Sequence, residues 1–253
     1  MNREVKHRMG RSVGVPPEWT SVLAVIAHPD DASFGLGAIL DAFVFAGAKV
    51  EVLCLTHGQA WTLEGAPGDL AALRGAELAS AVDVLGPTRD QMADCPDGTL
   101  SELGQAKLVD EVIAAADSCF PDGLLVFDSA AVEGYLDHVT ATSAGLMAAQ
   151  TLALPVLGWA LSEEVAAQLN HEFGNRFTSH QDEDVDLRVT VERAKQRVAS
   201  HSLQDPALPG SALWRRLELL ANTKSLRWLR PAGAAVGDRA PGDRSASIAS
   251  ADD

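Results

Sequence analysis

Residues 21–27, SVLAVIA, are followed directly by HPDD at residues 28–31, and this segment is the clearest indication of the fold in the sequence. A short apolar run bounded by a proline turn is typical of a strand buried on both faces of a parallel sheet. Residues 34–46 are long enough for a helix that Gly47 can end, and residues 49–56 repeat the pattern of a buried strand. The chain is therefore predicted to open with a strand, a helix and a second strand.

The alternation continues along the chain. Further strands are predicted at residues 123–127 and 155–159, with a possible extra strand at 185–189, and further helices at residues 69–85, 101–116, 140–152, 162–170, 190–201 and 211–220. Alternating elements of this kind predict an α/β fold: a Rossmann-like, mostly parallel sheet with helices on both faces, in a single domain. Such sheets form their sites outside the carboxyl ends of the strands.

Composition excludes several classes of protein. The chain has 253 residues, 47% of them hydrophobic, and a formal net charge of −15. It can therefore bury a core, and its acidity argues against a nucleic-acid or anionic-membrane partner. Three cysteines without a CxxC spacing and the lack of a secretory signal favour the cytoplasm. The oligomeric state stays open, a homo-oligomer included.

Polar side chains follow the first predicted strand at its carboxyl end. His28 and Asp31 are an imidazole and a carboxylate three residues apart, a pairing that suits zinc or another divalent ion. Asp30 beside them can take a proton from water. The same residues also fit a polar turn in which Asp30 or Asp31 caps the next helix, and spacing alone leaves both interpretations open.

A second polar group, GYLDH at residues 134–138, follows the predicted strand at 123–127. Together with His28 and Asp31, His138 would complete a set of two histidines and one carboxylate, which leaves positions for water and substrate. Asp137 could hold one histidine through a hydrogen bond. Taken alone, His138 fits better as a polar residue at a helix start.

AHPDD at residues 27–31 and the DH pair at 137–138 resemble the LmbE-like/PIG-L N-acetylglucosaminyl deacetylases, whose signatures are AHPDDE and HPDH. The LTHG turn at 55–58 is also similar to that family, and by element order the resemblance spans about residues 20–225. It implies that residues 18–230 form an LmbE-like catalytic domain, between a flexible lead-in at 1–17 and a disordered tail at 231–253.

The resemblance also implies roles for individual residues. It assigns zinc, with iron(II) or cobalt(II) as alternatives, to three ligands: His28, Asp31 and His138. Asp30 would be the general base, and Asp137 would tune that base or support a ligand. Four further positions would bind an amino-sugar substrate: Arg74, Glu77, Asp97 and His201. Each of these four also fits a structural role, for example Arg74 and Glu77 as an exposed helical pair.

Two departures from the family pattern affect the expected chemistry. Ala32 stands where the family has Glu, and Tyr135 stands where HPDH has its first histidine. Tyr135 is assigned a catalytic role as a hydrogen-bond donor to the oxyanion, although a phenol with a pKa of about 10 is a weak acid. Slow chemistry and a different reaction at this site are the alternatives that this departure leaves open.

The leading functional hypothesis is a zinc-dependent deacetylase that removes the N-acetyl group from an amino sugar or its conjugate. Two alternatives remain: an amidase that acts on a thiol conjugate or a natural-product intermediate, and a non-catalytic descendant that binds a sugar or a metal. The second alternative rests on Ala32 and Tyr135 together. The presence of the four residues His28, Asp30, Asp31 and His138 argues against it.

Overall fold

The computed structural model describes residues 12–13, 15–60, 70–86, 88–132, 135–174, 176–181, 184–190, 215, 218–219 and 223–234. Its strands are β1 (Ser12–Val13), β2 (Ser21–Ile26), β3 (Lys49–Thr56), β4 (Thr88–Cys95), β5 (Gly123–Phe127), β6 (Val156–Ala160), β7 (Leu187–Thr190) and β8 (Thr223–Arg230). Its helices are α1 (Gly37–Phe45), α2 (Leu70–Leu85), α3 (Gln105–Cys119), α4 (Leu136–Leu152) and α5 (Glu163–Phe173).

The described strands form one sheet in the order β1-β7-β8-β6-β5-β2-β3-β4. β2 is central and pairs in parallel with β3 on one side and β5 on the other. The chain thus winds outward from β2 in both directions, which opens a crevice at the carboxyl ends of β2 and β5. β8 is antiparallel to both of its neighbours, β6 and β7.

Two apolar clusters cover the two faces of the sheet. Val22, Ala24 and Ile26 of β2 pack in a cluster with α1, α2 and α5. Leu23 and Val25, which alternate with them, pack in a second cluster with α3 and α4. Burial of alternate residues on opposite sides requires helices on both faces. The predicted fold class is therefore confirmed.

The structure differs from the sequence prediction in several elements. β4 and β8 were not predicted, because TRDQMADC is a largely exposed edge strand and TKSLRWLR carries three basic residues. α3 begins at Gln105 after a short 3-10 turn at Leu100–Glu102, so a helix start at residue 101 was wrong. α4 begins at Leu136, before the predicted residue 140.

Other predictions fall partly outside the described residues. Of the helix predicted at 190–201, only Thr190 is described, and it ends β7. Of the helix at 211–220, the described residues 215, 218 and 219 are helical. Ser12 and Val13, within the proposed lead-in, pair with β7, and residues 235–253 of the proposed tail lie outside the described part. No helix in the described part is both long and apolar enough to cross a bilayer.

Candidate active site

The candidate site lies where β2 and β5 end at the carboxyl edge of the sheet. β2 ends at Ile26, and the turn at 28–31 runs into one π-helical turn that begins at Asp31. His138 is in the first turn of α4, which follows β5. The two predicted polar groups, 107 residues apart, therefore meet across the crevice.

Three potential metal ligands converge there. Each of His28, Asp31 and His138 offers a ligand atom, and these atoms all lie within 4.8 Å of one another. His138 Nε2 lies 2.9 Å from Asp31 Oδ1, and His28 Nδ1 lies 4.0 Å from Asp31 Oδ2. The backbone N–H of His28 donates to Asp31 Oδ2 at 3.0 Å, which fixes the carboxylate in the turn.

The donor set fits a divalent ion such as zinc. Donors that bind zinc tetrahedrally at about 2 Å lie roughly 3–4 Å apart. The two distances from Asp31 to the histidines, 2.9 Å and 4.0 Å, are close to this spacing. His138 Nδ1 is buried and has no hydrogen-bond partner among the described residues, so within them the ring forms a hydrogen bond only through Nε2, which faces Asp31. Two imidazoles and one carboxylate also leave coordination positions for water and substrate.

Asp30 has the electrostatic character of a general base. Burial is the largest cause that raises its pKa, from an ordinary 3.8 to about 6, and the charge of Asp31 adds to the effect. The charges of His28 and Arg74 act in the opposite direction. A carboxylate with a pKa near 6 is ionised at pH 7 and still basic enough to accept a proton.

The two proposed ligands next to it have different environments. Burial raises the pKa of Asp31, but this effect is outweighed by the charge and hydrogen bond of His138 and by the charge of His28. The net pKa of Asp31 therefore lies below its usual value. Burial lowers the pKa of His28, but the hydrogen bond to Asp97 and the surrounding carboxylates raise it to about 9. The site is thus strongly negative and attracts a cation.

Asp97 and Asp137 lie on the other side of His28. His28 Nε2 is 3.0 Å from Asp97 Oδ1 and 3.4 Å from Asp137 Oδ2. Asp137 accepts backbone hydrogen bonds from Gly98 at 2.7 Å and Leu100 at 3.0 Å. The structure therefore brings both predicted residues to His28.

Arg74 and Glu77 form a buried pair on α2. Arg74 Nη1 donates to Glu77 Oε2 at 2.7 Å, and the two residues are 3% and 4% exposed. The alternative of an exposed helical pair is therefore wrong. Glu77 Oε1 has no hydrogen-bond partner among the described residues. The positive charge of Arg74 lowers the pKa of Asp30.

The two departures from the family pattern take different positions. Tyr135 is the N-cap residue of α4, is 54% exposed, and sets its ring edge-on to His138 at 5.7 Å between centroids. Ala32 is fully buried in the core cluster with α1. The remaining predicted substrate-binding residue, His201, lies outside the described residues.

A polar cluster at the same edge was missed from the sequence. Asp128, directly after β5, is bound by Arg227 Nη1 at 2.7 Å and lies 2.9 Å from His180 Nε2. Because Asp128 directly follows a predicted strand, the sequence could have indicated it as a site residue. Its partners Arg227 and His180 come from distant parts of the chain, so the contacts themselves could not be predicted from local spacing. Phe127 was missed too: its ring packs edge-on against His138 at 5.2 Å.

This fold and this site define a class: α/β proteins with a histidine–aspartate–histidine donor set at the carboxyl edge of a parallel sheet. The family model described as PIG-L, GlcNAc-PI de-N-acetylase, matches residues 23–149. The chain belongs to this LmbE-like deacetylase family.

Curated relatives include a 1D-myo-inositol 2-acetamido-2-deoxy-alpha-D-glucopyranoside deacetylase of Kineococcus radiotolerans. It is 35% identical over 127 residues, which are 47% of this chain and 35% of the relative. The match thus spans about a third of that relative's length. A diacetylchitobiose deacetylase of Thermococcus kodakarensis is 27% identical over 191 residues, 73% of this chain and 70% of the relative.

Solved structures share the fold. An antimicrobial reagent A40926 pseudoaglycone deacetylase superposes with a TM-score of 0.63 at 20% identity, over 85% of this chain and 99% of the other. The 4-carboxy-2-hydroxymuconate hydratase GalB of Pseudomonas putida superposes with a TM-score of 0.64 at 15% identity, over 84% and 97%. One fold thus occurs with two reactions, so the function must be argued from the site.

Proposed function

We propose that the chain is a zinc-dependent N-deacetylase that hydrolyses the acetamide of an amino sugar or of a conjugate carrying one. The observation that supports this most is the convergence of His28, Asp31 and His138 within 4.8 Å, next to Asp30 with its raised pKa. Family membership and the names of the two curated relatives agree with it.

In the proposed reaction, water adds to the amide carbonyl, the C–N bond breaks, and acetate and a free amine leave. Bound zinc supplies Lewis acidity in such sites and lowers the pKa of water. Asp30 takes the proton from the attacking water and returns it to the departing amine nitrogen. Tyr135 donates a hydrogen bond to the developing oxyanion, and Asp137 supports His28.

Three further residues, Arg74, Glu77 and His201, are proposed to lie at the substrate pocket. Arg74, through its charge, holds Asp30 ionised, while Glu77 orients Arg74. His201 stays a proposal for substrate binding. The three free thiols, Cys54, Cys95 and Cys119, support the cytoplasm as the proposed compartment.

Zinc content and hydrolysis test this function in two matched variants. We expect about one zinc per wild-type chain, little zinc in Asp31→Asn, and near-normal zinc in Asp30→Asn, because only Asp31 is proposed as a ligand. Both variants should lose hydrolysis, Asp30→Asn by about 10²–10⁴-fold. Elemental analysis and release of free amine from N-acetylglucosamine and diacetylchitobiose are the measurements.

The opposite outcomes would overturn the proposal. A wild-type chain that takes up no zinc, iron or cobalt when these are offered would exclude the metal centre. Full hydrolysis by Asp30→Asn would remove Asp30 from the reaction.

A further inference from the structure

We propose that Asp97 is a positioning residue that holds the imidazole of His28 in the orientation in which His28 binds the metal. This inference rests on the proposed function, and it replaces the substrate-binding role that the family resemblance implies for Asp97.

The carboxylate of Asp97 is already occupied within the protein. Its Oδ1 lies 3.0 Å from His28 Nε2, and its Oδ2 accepts the backbone N–H of Ala60 at 2.6 Å. The side chain is only 5% exposed. A carboxylate that is buried and bound on both oxygens is poorly placed to receive sugar hydroxyls.

The two nitrogens of the His28 ring face different groups. Nδ1 faces Asp31, at 4.0 Å from Oδ2, while Nε2 faces Asp97. A carboxylate on the nitrogen opposite the metal fixes both the tautomer and the angle of a ligating imidazole, and its loss typically weakens metal binding by about 10–100-fold. Nδ1 is therefore the ligating atom, and Nε2–H donates to Asp97.

The backbone conformation of the turn that carries Asp97 supports its contact with His28. Gly98 has a φ of +79°, a backbone conformation that favours glycine, and its N–H donates to Asp137 at 2.7 Å. Asp137 is thus held 3.4 Å from His28 Nε2, farther than Asp97. The group His28, Asp97 and Asp137 also has metal-ligand spacing. We interpret this group as the support of His28, because the other ring nitrogen, Nδ1, is the one that faces Asp31.

The test is the zinc affinity of Asp97→Ala, measured by competition with a chromophoric chelator. We expect zinc to bind about 10–100-fold more weakly than to the wild-type chain, with a smaller loss in Asp97→Asn, whose amide oxygen can still accept from Nε2–H. Asp94→Ala is the matched control. Asp94 lies on β4, its side chain is 96% exposed and contacts His57, so zinc affinity should not change.

A second measurement separates support of His28 from a general loss of structure. In the zinc-loaded wild-type chain, nitrogen NMR of His28 should show Nε2 protonated and Nδ1 bound to zinc. Zinc binding by Nε2, or an unchanged zinc affinity in Asp97→Ala combined with a raised KM, would overturn the inference and leave the proposed deacetylase intact. A wild-type chain that binds no zinc would overturn both.

Discussion

Asp30 and Asp31 are neighbours in the sequence but have opposite electrostatic environments. Burial and the adjacent charge raise the pKa of Asp30 to about 6, whereas the contacts with His138 and His28 hold the pKa of Asp31 below its usual value. A carboxylate that stays ionised suits a metal ligand, and one with a raised pKa suits proton transfer. The turn at 28–31 thus separates two roles within two residues.

Tyr135 takes the position of a family histidine but not its chemistry. Its ring lies edge-on to the proposed ligand His138, and more than half of the residue is exposed. A phenol can donate a hydrogen bond to an oxyanion, but near pH 7 it does not act as a proton donor of histidine strength.

Tyr135→Phe is expected to lower kcat by about 10²-fold, because one oxyanion donor is lost while the aromatic ring is kept. Zinc content should not change, since Tyr135 is not proposed as a ligand. Steady-state kinetics on the substrate found for the wild-type chain provide the measurement. Thr140→Val is the control, because it removes a hydroxyl in α4 that donates to the Leu136 carbonyl of its own helix. A kcat unchanged by Tyr135→Phe would show that the tyrosine hydroxyl has no part in the reaction.

At the scale of the element, the start of β2 is fixed by a side chain far away in sequence. Asp122, just before β5, accepts the backbone N–H of Thr20 at 2.6 Å, the Thr20 hydroxyl at 2.8 Å and the N–H of Ser21 at 3.2 Å. These hydrogen bonds, the backbone bond to Thr20 foremost, hold the pKa of Asp122 below its ordinary value. The contact joins the two strands whose carboxyl ends form the site.

Asp122→Ala is expected to lower the free energy of unfolding by about 1 kcal/mol at neutral pH, a modest value because the carboxylate is exposed. A lowered pKa in the folded state means that the stabilisation is complete above the ordinary pKa and disappears as pH falls through the folded one. The difference from the wild-type chain should therefore shrink as pH falls below the ordinary pKa of 3.8. Urea denaturation on both sides of this pH is the measurement. Asp117→Ala, an exposed carboxylate on α3, should show no such trend.

Across the whole sheet, the antiparallel β8 lies between β6 and β7 and connects β7 and β1 to the rest of the sheet. It packs closely against Gly158 of β6, where an added Cβ would lie 2.7 Å from Leu229 Cδ1 and 2.8 Å from its Cγ, so the Leu229 side chain would have to shift. Leu229 belongs to the apolar cluster with α3 and α4. Insertion of β8 next to β6 therefore depends on this close contact.

Gly158→Ala is expected to destabilise the protein by about 1–3 kcal/mol, because Leu229 must leave its packed position. Gly75→Ala is the matched control, and it is expected to increase the free energy of unfolding instead of lowering it. Gly75 lies within α2, and an added Cβ meets only Met92 Sδ at an ordinary 3.6 Å, so a gain of about 0.5–1 kcal/mol is expected. Urea denaturation followed by circular dichroism measures both. Equal effects of the two substitutions would contradict the proposed packing of β8.

Much of the fold and of the candidate site could be predicted from local patterns. The runs at 21–27, 49–56 and 123–127 read as buried strands because both faces of a parallel strand must be apolar, and the structure confirms them. β4 lacked this signal because it is an exposed edge strand, and β8 lacked it because Arg227 and Lys224 interrupt the run.

The alternation of strands and helices, and the polar residues that follow β2 and β5, could be predicted from the sequence because these patterns depend only on neighbouring residues. Which side chains come into contact depends on the three-dimensional fold. His28 contacts Asp97, and Asp128 contacts Arg227. Arg74 and Glu77 are buried as a pair, and their charges affect the pKa of Asp30. Except for the Arg74–Glu77 pair, these contacts join residues far apart in the chain, and their distances depend on strand order and helix packing, which no local spacing records.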